Sequence, residues 1–271
     1  GSCPSAAAAR AHWRASSVVV VGDSKQMPPS SFGEASTSDD ADSDATASES
    51  LTDAESILSE CLSAAVPQQW LSWHYRSQDE SLIAFSNLHY YEGRLSSFPA
   101  PGLGVGGGHS DRGLSLVRVG GVFERSGKGK TLRTNRKEAE AIVEEIRRRF
   151  EASPEAVPSI GVVTFNQQQR AFIEALIRDG GDTRIIEALD STQEEGLFIK
   201  NLENVQGDER DVILFSTAFS VNANGVLPLN FGPLSLEGGE RRLNVAITRA
   251  RRQVVLFTSF EPSQLRAEET K

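Results

Sequence analysis

The residues best suited to chemistry in this chain are arginines, and two of them stand seven positions apart in Glu240-Arg241-Arg242-Leu243-Asn244-Val245-Ala246-Ile247-Thr248-Arg249-Ala250-Arg251-Arg252. On an α-helix seven residues span about 700°, which returns Arg249 to within ~20° of the face that carries Arg242. Both guanidiniums would then address one anionic ligand, with Leu243 and Ala250 as a neighbouring apolar stripe. An arginine-rich helix taken alone is more often a solvated face. A third arginine, Arg76, follows two aromatics in Trp73-His74-Tyr75-Arg76-Ser77, a setting that alone favours a surface or cation–π residue. Two further segments offer polar groups at strand ends. Gln26 lies in Gly22-Asp23-Ser24-Lys25-Gln26-Met27-Pro28-Pro29, after the β-branched run Val18–Val21, where an α/β sheet presents side chains to a ligand crevice. Gln206, Gly207 and Glu209 form a turn that leads into the apolar run at Val212.

One apparent phosphate-binding loop fails on its own chemistry. Gly127-Lys128-Gly129-Lys130-Thr131 ends as such a loop should, but Glu124 stands where the pattern needs its first glycine. A carboxylate there repels phosphate, and the next helix cap falls later, at Asn135, so Thr131 would not sit at a helix N-terminus. The segment reads as a basic loop.

Positioning these residues requires a sheet. Candidate strands are 18–21, 70–73, 114–119, 160–164, 198–201, 212–217 and 254–258, with helical patterns between several of them. That alternation predicts an α/β domain around a mostly parallel sheet flanked by helices. Asn135 with Glu138 three residues on is a capping-box-like start, after which Ala139, Ile142, Val143 and Ile146 share one face. A second helix begins near Gln167, with Ala171, Phe172, Ala175 and Leu176 as its apolar stripe and Gly180-Gly181 at its end.

Composition sets the remaining bounds. With 38% hydrophobic and 24% charged residues, the chain can bury a core, and no apolar run approaches the ~20 residues that span a bilayer. Cys3 and Cys61 have no metal-ligand spacing with each other or with the histidines, so no metal site is predicted. The formal net charge of −9 would oppose phosphate binding, but eight of the carboxylates lie between Glu34 and Glu55, and setting them aside leaves −1. That Ser/Thr/Ala/Asp/Glu stretch reads as a disordered linker, and 102–108, with five glycines, as a surface loop.

Four segments together resemble superfamily 1 helicases, in family order. Val18–Pro29 resembles motif III, with Met27 for the usual Leu; Leu71–Ser77 with Tyr90-Tyr91-Glu92-Gly93-Arg94-Leu95 resembles the Tyr-Arg segment; Asn201–Leu214 is similar to motif V; and Glu240–Arg252 is nearly a verbatim motif VI. A weaker fifth, Ile160–Arg170, resembles the strand-Thr-Pro-Tyr-x-x-Gln segment, with Phe165-Asn166 for Pro-Tyr. The wording of motif V looks most like the large multidomain bacterial helicases of the group that includes the nonsense-mediated-decay helicase.

The resemblance implies a RecA-like P-loop NTPase helicase fold, with 1–33 as the tail of a first RecA-like domain, 34–56 as an acidic linker and 57–271 as the second domain. It implies that Gln26, Arg76 and Arg249 act on the γ-phosphate of ATP. Gln206, Gly207, Glu209 and Arg242 would help bind the nucleotide, and Thr164 and Asn204 would contact nucleic acid. ATP and Mg2+ are the expected cofactors, with the phosphate loop and metal ligands outside this chain, so the fragment alone should not hydrolyse ATP. Expected partners are single-stranded DNA or RNA and the upstream first RecA-like domain, with room for a nuclease-type domain beyond Lys271; no membrane is involved and the setting is cytoplasmic. The rival reading is a degenerate helicase-like scaffold that binds nucleic acid without turnover.

Overall fold

A computed structural model describes residues 17–27, 57–99, 112–125, 132–191, 195–222 and 224–265. The chain divides into two compact units, Gly1–Leu71 and Ser72–Lys271. The predicted linker at 34–55, the glycine-rich 102–108 and the basic 127–131 lie outside the described residues.

In the first unit, 18–21 forms no strand, which corrects the sequence reading; Val19 is 87% exposed. A parallel strand satisfies its backbone only through neighbouring strands, and none of the described residues of this unit supplies one. The turn after it does form. The Asp23 carboxylate accepts from the Lys25 N–H (2.9 Å) and the Gln26 amide (2.8 Å), and helix α1, Ile57–Ser63, follows.

The second unit is built on a sheet of five parallel strands in the order β1-β5-β4-β2-β3. The strands are β1, Gly113–Arg118; β2, Ile160–Thr164; β3, Phe198–Asn201; β4, Arg210–Ser220; and β5, Ala250–Ser259. This is the α/β architecture that the alternating pattern predicted. Residues 70–73 form no strand; only Trp73 makes a bridge, to Ser96. The helices are α2, Ser81–Tyr90; α3, Arg136–Ala152; α4, Gln167–Asp179; α5, Thr183–Asp190; and α6, Gly239–Ile247.

Asn135 caps α3 as predicted, its side chain accepting from the Glu138 N–H, and Ala139, Ile142, Val143, Ile146 and Phe150 bury one face of that helix. They pack on Ile160, Val162, Leu214, Val255 and Phe257 of the sheet. Helix α4 starts at Gln167 under an Asn166 cap and ends at Gly180, but it buries Gln169, Ile173 and Ile177, not the predicted stripe. Phe172 and Leu176 pack only partly against the core, and Ala171 is exposed. Periodicity alone admits both neighbouring faces; burial of Gln169 selects one, because its amide bridges the Asn135 carbonyl (3.1 Å) and Ser216 Oγ (3.1 Å).

At its C-terminal edge the sheet carries a buried polar network. The Glu138 carboxyl, on α3, accepts from Ser216 Oγ (2.7 Å), the Ala218 N–H (2.6 Å) and Ser259 Oγ (3.2 Å). Ala218 has φ 65°, within the irregularity that separates Ser216 from Ser220 in the β4–β5 pairing. A non-glycine residue in that region is strained, and the carboxyl secures the bulge by bonding its N–H.

Candidate functional site

The Tyr-Arg segment is held to the sheet by its backbone. The His74 N–H donates to the Ser96 carbonyl (2.8 Å), and the Gln78 N–H donates to the Arg251 carbonyl (2.7 Å). Ser77, fully buried, places its Oγ 2.9 Å from His74 Nε2 and 3.3 Å from the Ala250 carbonyl. Anchored on both sides, Arg76 points at the start of β4: its Nε donates to Glu209 Oε2 at 2.6 Å and its Nη1 to the Thr248 carbonyl at 3.5 Å. Those contacts use two of the five N–H donors of a guanidinium.

Glu209 is delivered by the turn at Gly207, whose φ of 93° favours glycine. The turn is braced by Asn201, whose side chain accepts from the Glu203 and Asn204 N–H groups, and by Lys200 paired with Asp208 at 2.6 Å. Arg76 beside it holds the Glu209 carboxyl below the usual carboxylate range. Arg251 approaches Glu209 from the other side at 3.7 Å while bonding Asp211 (2.7 Å) and Glu195 (2.5 Å).

Arg249 is not on the helix, which corrects the shared-face reading. Helix α6 ends at Ile247 because side chains take its last carbonyls: Thr248 Oγ1 donates to Asn244 (2.9 Å) and Val245 (3.0 Å), and Arg249 Nε donates to Val245 (2.7 Å). The chain then enters β5 at Ala250, so seven residues no longer return to one face. Arg249 is 4% exposed, and burial together with the charge of Arg76 lowers its pKa to about 10, so it remains protonated at neutral pH. Arg242 stays on α6, donating to the carbonyls of Glu237 (2.9 Å) and Pro233 (3.4 Å) and pairing with Glu203 at 3.7 Å.

The structure therefore brings Arg76, Glu209 and the Thr248-Arg249 pair together, from three segments remote in sequence. Opposite Arg76, Arg249 and Arg251 there is one shared carboxylate, Glu209; Asp211 and Glu195 are engaged by Arg251 alone among these arginines. The three guanidiniums are thus balanced by three carboxylates, and Arg249, which among the described residues bonds the Val245 carbonyl and Thr248 Oγ1 but no carboxylate, is the one suited to an anionic ligand. Arg210 pairs with Ala250 in register, so the cluster lies at the N-terminal ends of β4 and β5. Gln206 and Gly207 are exposed on the turn beside it.

The other predicted residues are placed elsewhere. Thr164 is fully buried at the C-terminal end of β2, its hydroxyl donating to the Asn166 carbonyl (2.8 Å), and so lies at the opposite edge of the sheet. Asn204 is exposed on the Asn201–Asp208 turn, and Gln26 belongs to the first unit. Sequence reasoning passed over His74, Thr248 and Arg251. His74 is the one a closer reading could have found, since it stands two residues before Arg76; the other two matter through contacts that residue order does not reveal.

The sequence profile of the AAA domain family matches residues 54–261. The uncharacterized ATP-dependent helicase MG140 of Mycoplasma genitalium is 32% identical over 253 residues, covering 90% of this chain and 21% of that protein. Its homolog in Mycoplasma pneumoniae is 32% identical over 259 residues, covering 93% and 22%. The chain thus spans about a fifth of the length of these curated relatives. Among solved structures, the C-terminal domain of a possible DNA helicase from Lactobacillus plantarum aligns with a TM-score of 0.38 at 10% identity, over 71% of this chain and 92% of that one.

Proposed function

This chain belongs to the AAA domain family, which falls in the C-terminal region of superfamily 1 helicases, and from that membership we propose that it is the second RecA-like part of an ATP-dependent helicase motor. The parent protein would couple ATP hydrolysis to movement along single-stranded DNA or RNA. The observation that carries this reading is the meeting of Arg76, Glu209 and Arg249 in one cluster at the sheet edge, with the buried Arg249 bonded to no carboxylate among the described residues.

In this proposal Arg76, Arg249 and Gln26 act on the γ-phosphate of the nucleotide, as the motif resemblances imply. A planar, permanently charged guanidinium stabilises charge spread over phosphoryl oxygens. Glu209 aims Arg76, and Arg249 exchanges its bond to the Val245 carbonyl for the ligand. Gln206, Gly207 and Arg242 are proposed to help bind the nucleotide. Hydrolysis withdraws the charge that both domains grip, so the cleft opens and the motor steps. Magnesium belongs to the same proposal, its ligands expected from the first RecA-like domain, and the exposed Asn204 is proposed to face the nucleic acid, whereas Thr164, fully buried with its hydroxyl on the Asn166 carbonyl, does not. The wording of motif V supports kinship with the large multidomain bacterial helicases.

The test is nucleic-acid-stimulated ATPase activity of the full-length parent protein, wild type against Arg249→Ala, at fixed salt. Loss of an arginine that stabilises phosphoryl transfer should lower turnover on the order of a thousandfold or more. Because Arg249 also caps α6, the variant's thermal unfolding is followed alongside, and a folded variant with undiminished turnover refutes the assignment. A wild type with no stimulated turnover would leave the scaffold reading in place.

A further inference from the structure

We propose that His74 is a positioning residue that holds Arg76 in its firing geometry by accepting a hydrogen bond from the Ser77 backbone N–H, a reading that rests on the proposed ATPase role of Arg76. The geometry is a closed turn. His74 Nε2 accepts from the Ser77 N–H at 3.2 Å and lies 2.9 Å from Ser77 Oγ, so the imidazole spans the two residues between them, Tyr75 and Arg76. The turn is pinned at both ends, by the His74 N–H on the Ser96 carbonyl and by the Gln78 N–H on the Arg251 carbonyl. With the backbone on either side fixed, Arg76 Nε meets Glu209 at 2.6 Å and Nη1 meets the Thr248 carbonyl.

A backbone N–H can only donate, so Nε2 must carry the lone pair, the ring proton must sit on Nδ1, and the Ser77 hydroxyl 2.9 Å away turns its proton to Nε2 as well. The ring must also be neutral. Burial, with the guanidiniums of Arg76 beside it and Arg249 at the end of α6, lowers its pKa to about 4. Glu209, on the turn before β4, is engaged by Arg76, and Arg251 on β5 is engaged by Glu195 and Asp211, so His74 has no carboxylate bonded to it among the described residues. A protonated ring would lose its acceptor, release the Ser77 N–H and add a third cation beside two arginines. Replacing the ring by a methyl group removes the acceptor without adding charge, leaving the Arg76 turn loose.

The experiment measures stimulated ATPase turnover in the full-length parent protein for His74→Ala, His74→Gln, Arg76→Ala and the double variant His74→Ala/Arg76→Ala. Misplacing a charge-stabilising group lowers turnover on the order of tenfold to a hundredfold. That loss is expected in kcat for His74→Ala, with KM for ATP within about twofold of wild type, because uniform binding is unaffected. His74→Gln should recover most of the loss, since its amide oxygen can accept where Nε2 does. The double variant should be no slower than Arg76→Ala alone, because His74 acts through Arg76. Additive losses in the double variant, or a His74→Gln as slow as His74→Ala, overturn the proposal.

If the wild type shows no stimulated turnover, the ATPase reading fails by itself, and the positioning claim is judged on 15N NMR of the histidine rings in this chain at pH 7, assigned with His74→Gln. The expected signature is a neutral ring with Nδ1 protonated and Nε2 bare. A ring protonated at Nε2, or a charged ring, refutes the positioning role.

Discussion

Glu138 makes the stability of this fold depend on pH in a direction opposite to that of an ordinary paired carboxylate. Its side chain is fully buried, and burial pushes its pKa from 4.5 up to about 7, against the pull of the Ala218 N–H and the Ser216, Ser259 and Thr217 hydroxyls. Above pH 4.5 the unfolded chain has released the proton that the folded chain keeps until about pH 7. Over that window the folded state binds more protons, so stability falls as pH rises, by about 1.4 kcal/mol per pH unit. Across the interval this amounts to about 3 kcal/mol, all of it lost by neutral pH. Glu138→Gln cannot titrate. The stability of wild type relative to Glu138→Gln should therefore drop by about 3 kcal/mol between pH 4.5 and 7.5, measured by urea unfolding followed by far-ultraviolet circular dichroism at closely spaced pH values. A difference that stays flat, or that grows with pH, would mean that the donors around the carboxyl keep it ionised and would refute burial as the dominant influence. The consequence reaches past stability, because the same carboxyl secures the strained bulge at Ala218.

Gly161→Ala should destabilise the unit by about 1–3 kcal/mol, since a Cβ there would lie 2.3 Å from Phe198 Cζ and 2.8 Å from Ile213 Cδ1; the urea midpoint reads the effect, and an unchanged midpoint would show that the sheet yields freely at β2. Asn135→Ala removes the cap of α3 and the side-chain bonds to the Ala218 carbonyl (3.0 Å) and Ser259 Oγ (2.8 Å). A loss of about 2 kcal/mol is expected, with faster amide exchange confined to the first turn of α3, whereas a loss under about 0.5 kcal/mol would show that the network closes without it.

Much of the fold could be read from residue order because the governing forces are local. The β-branched run 160–164 and the segment 198–201 are strands with the predicted bounds, and Asn135 caps its helix through the one bond that its position allows. The motifs that mark the site are equally local, since each is a short string whose residues must be neighbours to form one turn. Other outcomes depended on partners that residue order does not name. The run 18–21 has the composition of a buried strand, yet a strand requires a neighbour to bond. Helix α4 turned its Gln169 face inward because a buried amide found partners on β4 and in the Asn135 cap, where apolar periodicity admitted the adjacent face equally well. The helix of motif VI stopped at Ile247 because the Thr248 hydroxyl and the Arg249 guanidinium took its terminal carbonyls, and that put Arg249, not Arg242, beside Arg76. The Arg76–Glu209 pair joins residues 133 positions apart, and only the parallel register of β4 and β5, with the Tyr-Arg segment bonded along the start of β5, brings them within reach. Residue order thus decided which groups this chain carries and which elements present them, because propensity, capping and turn chemistry act over a few residues. Tertiary structure decided which of those groups meet, because sheet register and the competition for buried hydrogen bonds act across the whole domain.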